Sequence, residues 1–253
     1  MEYVVYIIAG FLAGIATGLV GLSAAIIIAP IFATFLGMDP YVAIGIALAS
    51  DVFASGISAT NYARKKLIDI KSASILASTV LIFAILASYL SFFTEPITLK
   101  TSINIFVPIL GLRFLIYPVK STPGNPLNRL TKSVIIQTLS WGAVIGFISG
   151  FFGGGGGLSM LAVLTMLLKY DMKKAIGTSV LVMTFTALVV SVAHFILGGT
   201  LIVPLIITSI AAMIGANLAS KYVIKIDEKL LNRVVGIFLL VEGISLIIVH
   251  YFI

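Results

Sequence analysis

Two carboxylic acids lie deep in long apolar stretches, Asp51 near the middle of one and Glu242 near the middle of another. An ionisable side chain at such depth is costly in hydrocarbon and is usually kept for function. A fixed negative charge beside a bound anion would be unfavourable. The chemistry expected of this pair is therefore proton coupling, not direct ligation of an anion. The plainer reading is a carboxyl kept neutral, or hydrogen-bonded to a neighbouring helix.

Glycine breaks offer a second kind of chemistry. Gly18-Leu-Val-Gly21 is followed by Ser23, and an uninterrupted run fills Gly153, Gly154, Gly155, Gly156 and Gly157. The first turn of a helix leaves backbone N–H groups unpaired and carries partial positive charge, so it attracts anions. Glycine lets an anion approach because no side chain stands in the way. Short helices starting near Ser23 and Gly156 would aim two such ends at one small anion. That makes Gly21, Ser23, Gly153, Gly154, Gly155 and Gly156 candidate substrate-binding positions. The bland alternative is that the glycines only let helices pack closely.

Thr178 and Ser179 add hydroxyls that would donate to an oxyanion, although hydroxyls in apolar helices often satisfy a carbonyl one turn back. Arg64 suits an orientation signal whose head reaches the interface. His194 suits a packed interfacial residue better than a proton relay. Trp141 reads as packing, and Asn104, Gln137 and Asn217 as polar links between helices.

Several chemistries are not expected. The chain has no cysteine, and its histidines, His194 and His250, lie far apart, so no metal site and no cofactor is anticipated. Neither glycine break continues as Gly-Lys-Ser/Thr, and there is no His-Glu-x-x-His pair. No nucleophile has a base beside it, which argues against an enzyme.

These residues need elements to hold them, and the composition says which. Of 253 residues, 60% are hydrophobic and 10% charged, with a mean hydropathy of +1.20. Soluble domains carry about 25% charged residues. One core could not hide so much apolar surface, so the solvent must be lipid. The N-terminal Met1-Glu2-Tyr3 turns apolar at once with no basic region before it, and reads as a first membrane helix, not a cleaved signal.

The chain also repeats itself at an ungapped offset of 132 residues. Gly10, Gly14, Gly18 and Gly21 fall on Gly142, Gly146, Gly150 and Gly153. Leu36 and Asp39 fall on Leu168 and Asp171, Ala43-Ile44-Gly45 on Ala175-Ile176-Gly177, and Phe53 on Phe185. Five apolar segments are expected in each half: 3–22, 24–37, 41–62, 72–93 and 101–117, then 134–152, 156–169, 173–197, 201–221 and 231–252. Residues 1–117 form the first repeat, 118–132 a linker and 133–253 the second repeat. The second segment of each half is short for a crossing and follows a glycine break, which is the best sequence pointer to a transport site.

Basic loops alternate between the halves. Arg64, Lys65, Lys66 and Lys71 have no basic counterpart in Gly198–Thr200, and Lys169, Lys173 and Lys174 none around Asp39. The positive-inside rule then inverts the second half relative to the first and places both termini outside a cell membrane. Lys100 is the one base left outside. The net charge of +7 is thereby a matter of orientation, and nucleic-acid binding is not expected. The fold expected is an all-α polytopic membrane protein of two inverted repeats. Each repeat is a glycine-broken helical hairpin plus three transmembrane helices. Glycine-lined helices also suit contacts between copies of the chain.

The segment Gly142 to Val180, GAVIGFISGFFGGGGGLSMLAVLTMLLKYDMKKAIGTSV, resembles the sulfite exporter TauE/SafE family of membrane permeases. That family repeats a glycine-rich break, a short helix and an Ala-x-Gly-Thr-Ser motif in each half. The second copy here is close to complete, with Gly153 to Gly157 and Ala175-Ile176-Gly177-Thr178-Ser179. The first copy departs from it, with Gly21-Leu22-Ser23-Ala24-Ala25 and Ala43-Ile44-Gly45-Ile46-Ala47. The resemblance implies a permease for sulfite, a sulfonate or a related small anion. A carrier for another anion such as a carboxylate, and an anion channel, are the alternatives.

Overall fold

The structure is a computed structural model. It describes residues 2–99, 101–102, 132–154, 156–197 and 200–223, with scattered positions between 105 and 116 and between 226 and 244. Gly155, Glu242, Lys100, His250 and residues 118–131 of the linker lie outside the described residues, as does most of the fifth segment of each half.

Every element among the described residues is helical. In chain order they are α1 (Glu2–Val20), α2 (Ala25–Phe35), α3 (Pro40–Arg64), α4 (Ile70–Phe92), α5 (Lys132–Phe152), α6 (Gly156–Ala162), α7 (Met172–Ile196) and α8 (Ile202–Tyr222). Helix α6 widens at once into a π-helical turn, Val163–Leu167. Six helices (α1, α3, α4, α5, α7 and α8) are long and apolar enough to cross a bilayer. Large apolar side chains stand outward on several of them, among them Ile82 and Leu86 on α4 and Ile206, Ile210 and Ile214 on α8. In water such a surface would aggregate; in lipid it is the solvated face. Helices suit that solvent because they satisfy every backbone group internally.

Acids set where the helices begin. The Asp39 carboxylate accepts from the Tyr41 and Val42 amides at 2.9 and 3.2 Å, and Pro40 stands at the first helical position of α3. Asp171 accepts from the Lys174 amide at 3.0 Å to start α7, and Asp69 from the Ser72 amide at 3.1 Å to start α4. Each cap satisfies an amide that the helix leaves without an internal partner. The corner before α3 turns on Gly37 (φ +63°) and the corner before α7 on Lys169 (φ +55°), positions 132 apart.

Packing is interleaved along the chain. Helix α1 lies along α8, and α5 along α4. A methyl group on Gly10, Gly14 or Gly18 would run into the backbone of α8 at Thr208, Ala212 and Ala216. On Gly142 it would meet Thr79 and the Leu76 carbonyl, and on Gly146 and Gly150 the backbone at Val80 and Ala84. Small residues four apart let two helices touch backbone to backbone, where dispersion contacts replace the missing hydrophobic drive. The contacted positions on α4 and α8 also differ by 132. Helices α3 and α7 pack on each other in the centre, with α8 against α3 and α4 against α7.

Candidate functional site

The chain leaves α1 at Gly21, whose φ is +69°, and leaves α5 at Gly153, whose φ is +71°. An L side chain adopts that left-handed geometry at a cost of about 1–2 kcal/mol. Both glycines are also crowded. A β-carbon on Gly21 would lie 2.9 Å from Ser179 Oγ and 3.5 Å from the Ile176 side chain on α7. One on Gly153 would press into the Ile44 side chain on α3. Each break therefore sits on the central helix of the other half.

The two breaks also touch each other. Gly157 abuts the Gly21 carbonyl and approaches Met183 Sδ, and a β-carbon on Gly154 would lie 2.9 Å from the Ile26 amide at the start of α2. Gly156 is closed against Ser149 Oγ, a buried hydroxyl with no hydrogen-bond partner.

Depth follows from Asp51. It is the twelfth residue of the 25 in α3, and its Oδ2 accepts from Ser23 Oγ at 2.6 Å. The first break is thus level with the middle of α3. Helix α2 has 11 residues, a length of about 16 Å against a hydrocarbon core of about 30 Å. It runs back beside α1, and Phe32 packs edge-on against Tyr6 at 5.1 Å. The hairpin turns inside the apolar layer. Pro30, within α2, removes one internal amide bond.

Ser23 and Asp51 are the centre's polar pair. Asp51 is fully buried and Ser23 is 4% exposed. Ser23 Oγ also accepts from the Ala25 amide at 3.4 Å, so that first amide of α2, the hydroxyl and the carboxylate form one chain. Asp51 Oδ1 has no hydrogen-bond partner. The sequence points to both residues but not to their contact, because they are 28 positions apart and the direction of the intervening hairpin is set by packing.

The hydroxyls of the Gly-Thr-Ser motif are occupied. Thr178 Oγ1 donates to the Lys174 carbonyl at 2.8 Å and accepts from the Asp69 amide at 3.1 Å. Ser179 Oγ donates to the Ile176 carbonyl at 2.9 Å and faces Gly21. Ser179 adjoins the breaks, while Thr178 fastens the loop before α4. Gly177 lets that loop close in, lying directly under the Leu67 carbonyl.

Other residues of interest sit elsewhere. His194 is buried, stacks on Tyr41 at 4.1 Å and lies 3.0 Å from Ser88 Oγ. Its Nδ1 is also 3.0 Å from the Val190 carbonyl. Asn217 Oδ1 accepts from Asn61 Nδ2 at 3.1 Å, linking α8 to α3. Arg64 and Trp141 are exposed. A cleft of about 270 Å³ opens at the Asp39 end of α3, between Tyr41, Phe92 and Leu197. It does not extend to the breaks, whose residues Gly21, Ser23, Gly153 and Gly154 are buried.

Comparison with known proteins places this architecture. The family described as sulfite exporter TauE/SafE matches residues 6–246. The probable membrane transporter protein YunE of Bacillus subtilis is 25% identical over 98% of both chains. A probable membrane transporter protein of Haemophilus influenzae is 26% identical over 90% of this chain and 88% of its own. The probable membrane transporter protein MJ0441 of Methanocaldococcus jannaschii is 29% identical over 72% of this chain and 68% of its own. No solved structure matches. With six potential membrane crossings among the described residues and a match over nearly its whole length, the chain belongs to the sulfite exporter TauE/SafE family.

Proposed function

We propose that this protein is a permease of the cell membrane that carries a small sulfur oxyanion, sulfite or an organosulfonate, between the two glycine breaks. The meeting of the breaks carries the reading. Gly21 and Gly157 touch at mid-depth. There the start of α2, Ser23 and Ser179 bring amides and hydroxyls, each now held by a partner within the protein, into one buried centre. An anion would exchange for those partners. Gly153 and Gly154 bring the second break hard against Ile44 and the start of α2, with no room for a β-carbon. A small anion is what such amides and hydroxyls recognise.

The offset of 132 residues in sequence, φ and helix partners supports two inverted repeats divided by residues 118–132. The alternating basic loops support extracytoplasmic termini. Burial of the break residues favours a carrier with alternating access over an open channel. For an uncoupled carrier, an inside-negative potential favours export of one negative charge by about 2.3 kcal/mol per 100 mV.

The test is flux of sulfite from liposomes containing the purified protein, with methanesulfonate, thiosulfate, sulfate and acetate as competitors. Saturable flux inhibited by sulfonates and not by acetate is the expected result. Selective inhibition by acetate would replace it with a carboxylate carrier, and unitary currents in a planar bilayer with a channel. No flux of any of these anions would overturn it.

A further inference from the structure

Resting on that reading, we infer that the Asp51 carboxylate is a tethered anion that occupies the start of α2 in the empty carrier. Substrate and carboxylate then exclude one another there, and binding of the anion takes up a proton at Asp51.

Three observations carry this. Ser23 Oγ donates to Asp51 Oδ2 at 2.6 Å, a short contact of the kind a carboxylate acceptor makes with a hydroxyl. The same hydroxyl receives the Ala25 amide, so Asp51 sits where an incoming anion would sit. Its second oxygen is buried and without a partner, leaving a position for a proton from solvent once substrate displaces the carboxylate. No covalent bond forms or breaks besides the new O–H on Asp51.

Among the described residues, no cation near Asp51 substitutes for that proton. On the helices packed around α3 the charged and titratable groups stand near the ends. Glu2, Tyr3 and Tyr6 lie near the start of α1, Lys173 and Lys174 at the start of α7 with His194 at its end, and Lys221 and Tyr222 at the end of α8. Helix α2 has none, and α3 itself has Tyr41, Tyr62 and Arg64 near its ends. The like charges of substrate and carboxylate would therefore face each other in a low-dielectric centre, where repulsion is strong.

The second half lacks the device. The positions matching Ser23 and Asp51 at the 132-residue offset are Gly155 and Met183, so hydroxyl and acid are missing together. One break carries a built-in competitor and the other is left to the substrate. An anion that moves with a proton crosses as a neutral pair, and the electrical push on export is lost. Direction then follows the combined gradients of anion and proton.

The experiment is methanesulfonate binding to purified protein in weakly buffered detergent, with a pH indicator, over a pH series. Methanesulfonate keeps its charge throughout. The expected result is close to one proton taken up per anion bound, with affinity falling about tenfold per pH unit once Asp51 is ionised. Asp51→Asn should bind without proton uptake and with flat affinity. In wild-type protein with isotope-labelled aspartate, infrared difference spectra should show a protonated carboxyl appearing on binding, a readout independent of any variant's folding. Binding without proton uptake, or without that band, or an Asp51→Asn protein that still takes up the proton, would overturn the inference alone. No binding of methanesulfonate, sulfite, thiosulfate or acetate would overturn the permease reading and this inference with it.

Discussion

Tyr170, in the loop before α7, donates its hydroxyl hydrogen to the Asp69 carboxylate at the start of α4, with Oη 2.8 Å from Oδ2. Ser72 Oγ lies 2.7 Å from the same Oη, and Lys174 Nζ lies 4.0 Å from Asp69 Oδ2 and 5.2 Å from the Tyr170 ring centre. With Thr178 accepting from the Asp69 amide, these groups tie residues 69–72 to residues 170–178 at the basic end of the bundle.

The tie has a definite pH dependence. Burial opposes ionisation of Asp69, but the Ser72 amide, the Tyr170 hydroxyl and Lys174 outweigh it and hold its carboxyl below the usual range. Burial, with Asp69 beside it, pushes the Tyr170 hydroxyl up to about 12. A lowered carboxyl contributes stability that is present above its unfolded value of about 3.9 and lost as pH falls through the lower folded value. Asp69→Asn should cost about 1–2 kcal/mol at pH 7, and the deficit should shrink below about pH 4. Thermal unfolding in detergent across pH 3–7 (roughly, the span around that carboxylate value) measures this.

Gly14→Ala and Gly150→Ala should each destabilise by about 1–3 kcal/mol, the cost of forcing atoms into a packed contact. Each new methyl meets a backbone carbonyl, Ala212 in one case and Ala84 in the other, and a carbonyl cannot rotate aside as a side chain can. Gly37→Ala, with nothing within 4 Å, is the control for left-handed strain without crowding. Denaturation midpoints of the three proteins decide it. Equal losses in all three would argue against the close contacts.

At Gly21 both penalties act together, with φ at +69° and Ser179 Oγ 2.9 Å from an added β-carbon. Gly21→Ala should therefore lower sulfite flux per folded molecule by tenfold or more, roughly the effect of about 1.4 kcal/mol on one step. Flux normalised to monodisperse protein separates this from lost folding. Unchanged flux would place the substrate away from this break.

The Asn61–Asn217 contact links α3 to α8, and Asn61 Nδ2 also donates to Ser220 Oγ at 2.8 Å. A double-mutant cycle with alanine at 61 and 217 should give a coupling of about 0.6 kcal/mol, since polar pairs between membrane helices are individually weak. A coupling near zero would mean that Ser220 is the partner that matters.

Much of this arrangement is legible in the residues. Helix spans follow from apolar length, so α3 runs 40–64 where 41–62 is expected, and α4 runs 70–92 where 72–93 is expected. Segment 156–169 is harder to read. It is an α-helix only to Ala162 and then a π-turn, because widening of a turn depends on what packs beside it. The glycines admit two readings, and the structure divides them by position. Gly10, Gly14, Gly18, Gly142, Gly146 and Gly150 serve close packing, while Gly21 and Gly153 turn the chain. Of these eight, Gly21 and Gly153 alone need a left-handed φ, which sequence spacing does not report. The Ser23–Asp51 and Asp69–Tyr170 contacts span 28 and 101 residues, and no local periodicity encodes such a meeting.

The interleaving of α1 with α8 also sets an order of assembly. The glycine stripe of α1 is made about 200 residues before its partner, because the carbonyls it rests on belong to residues 208–216. At 5–20 residues per second, ribosomes deliver that partner about 10–40 s later. Through that interval the nascent chain holds a bare, small-residue groove in the bilayer, open to any other helix with a matching ridge. An insertion factor that shelters α1 until translation ends would protect the yield of correctly paired molecules.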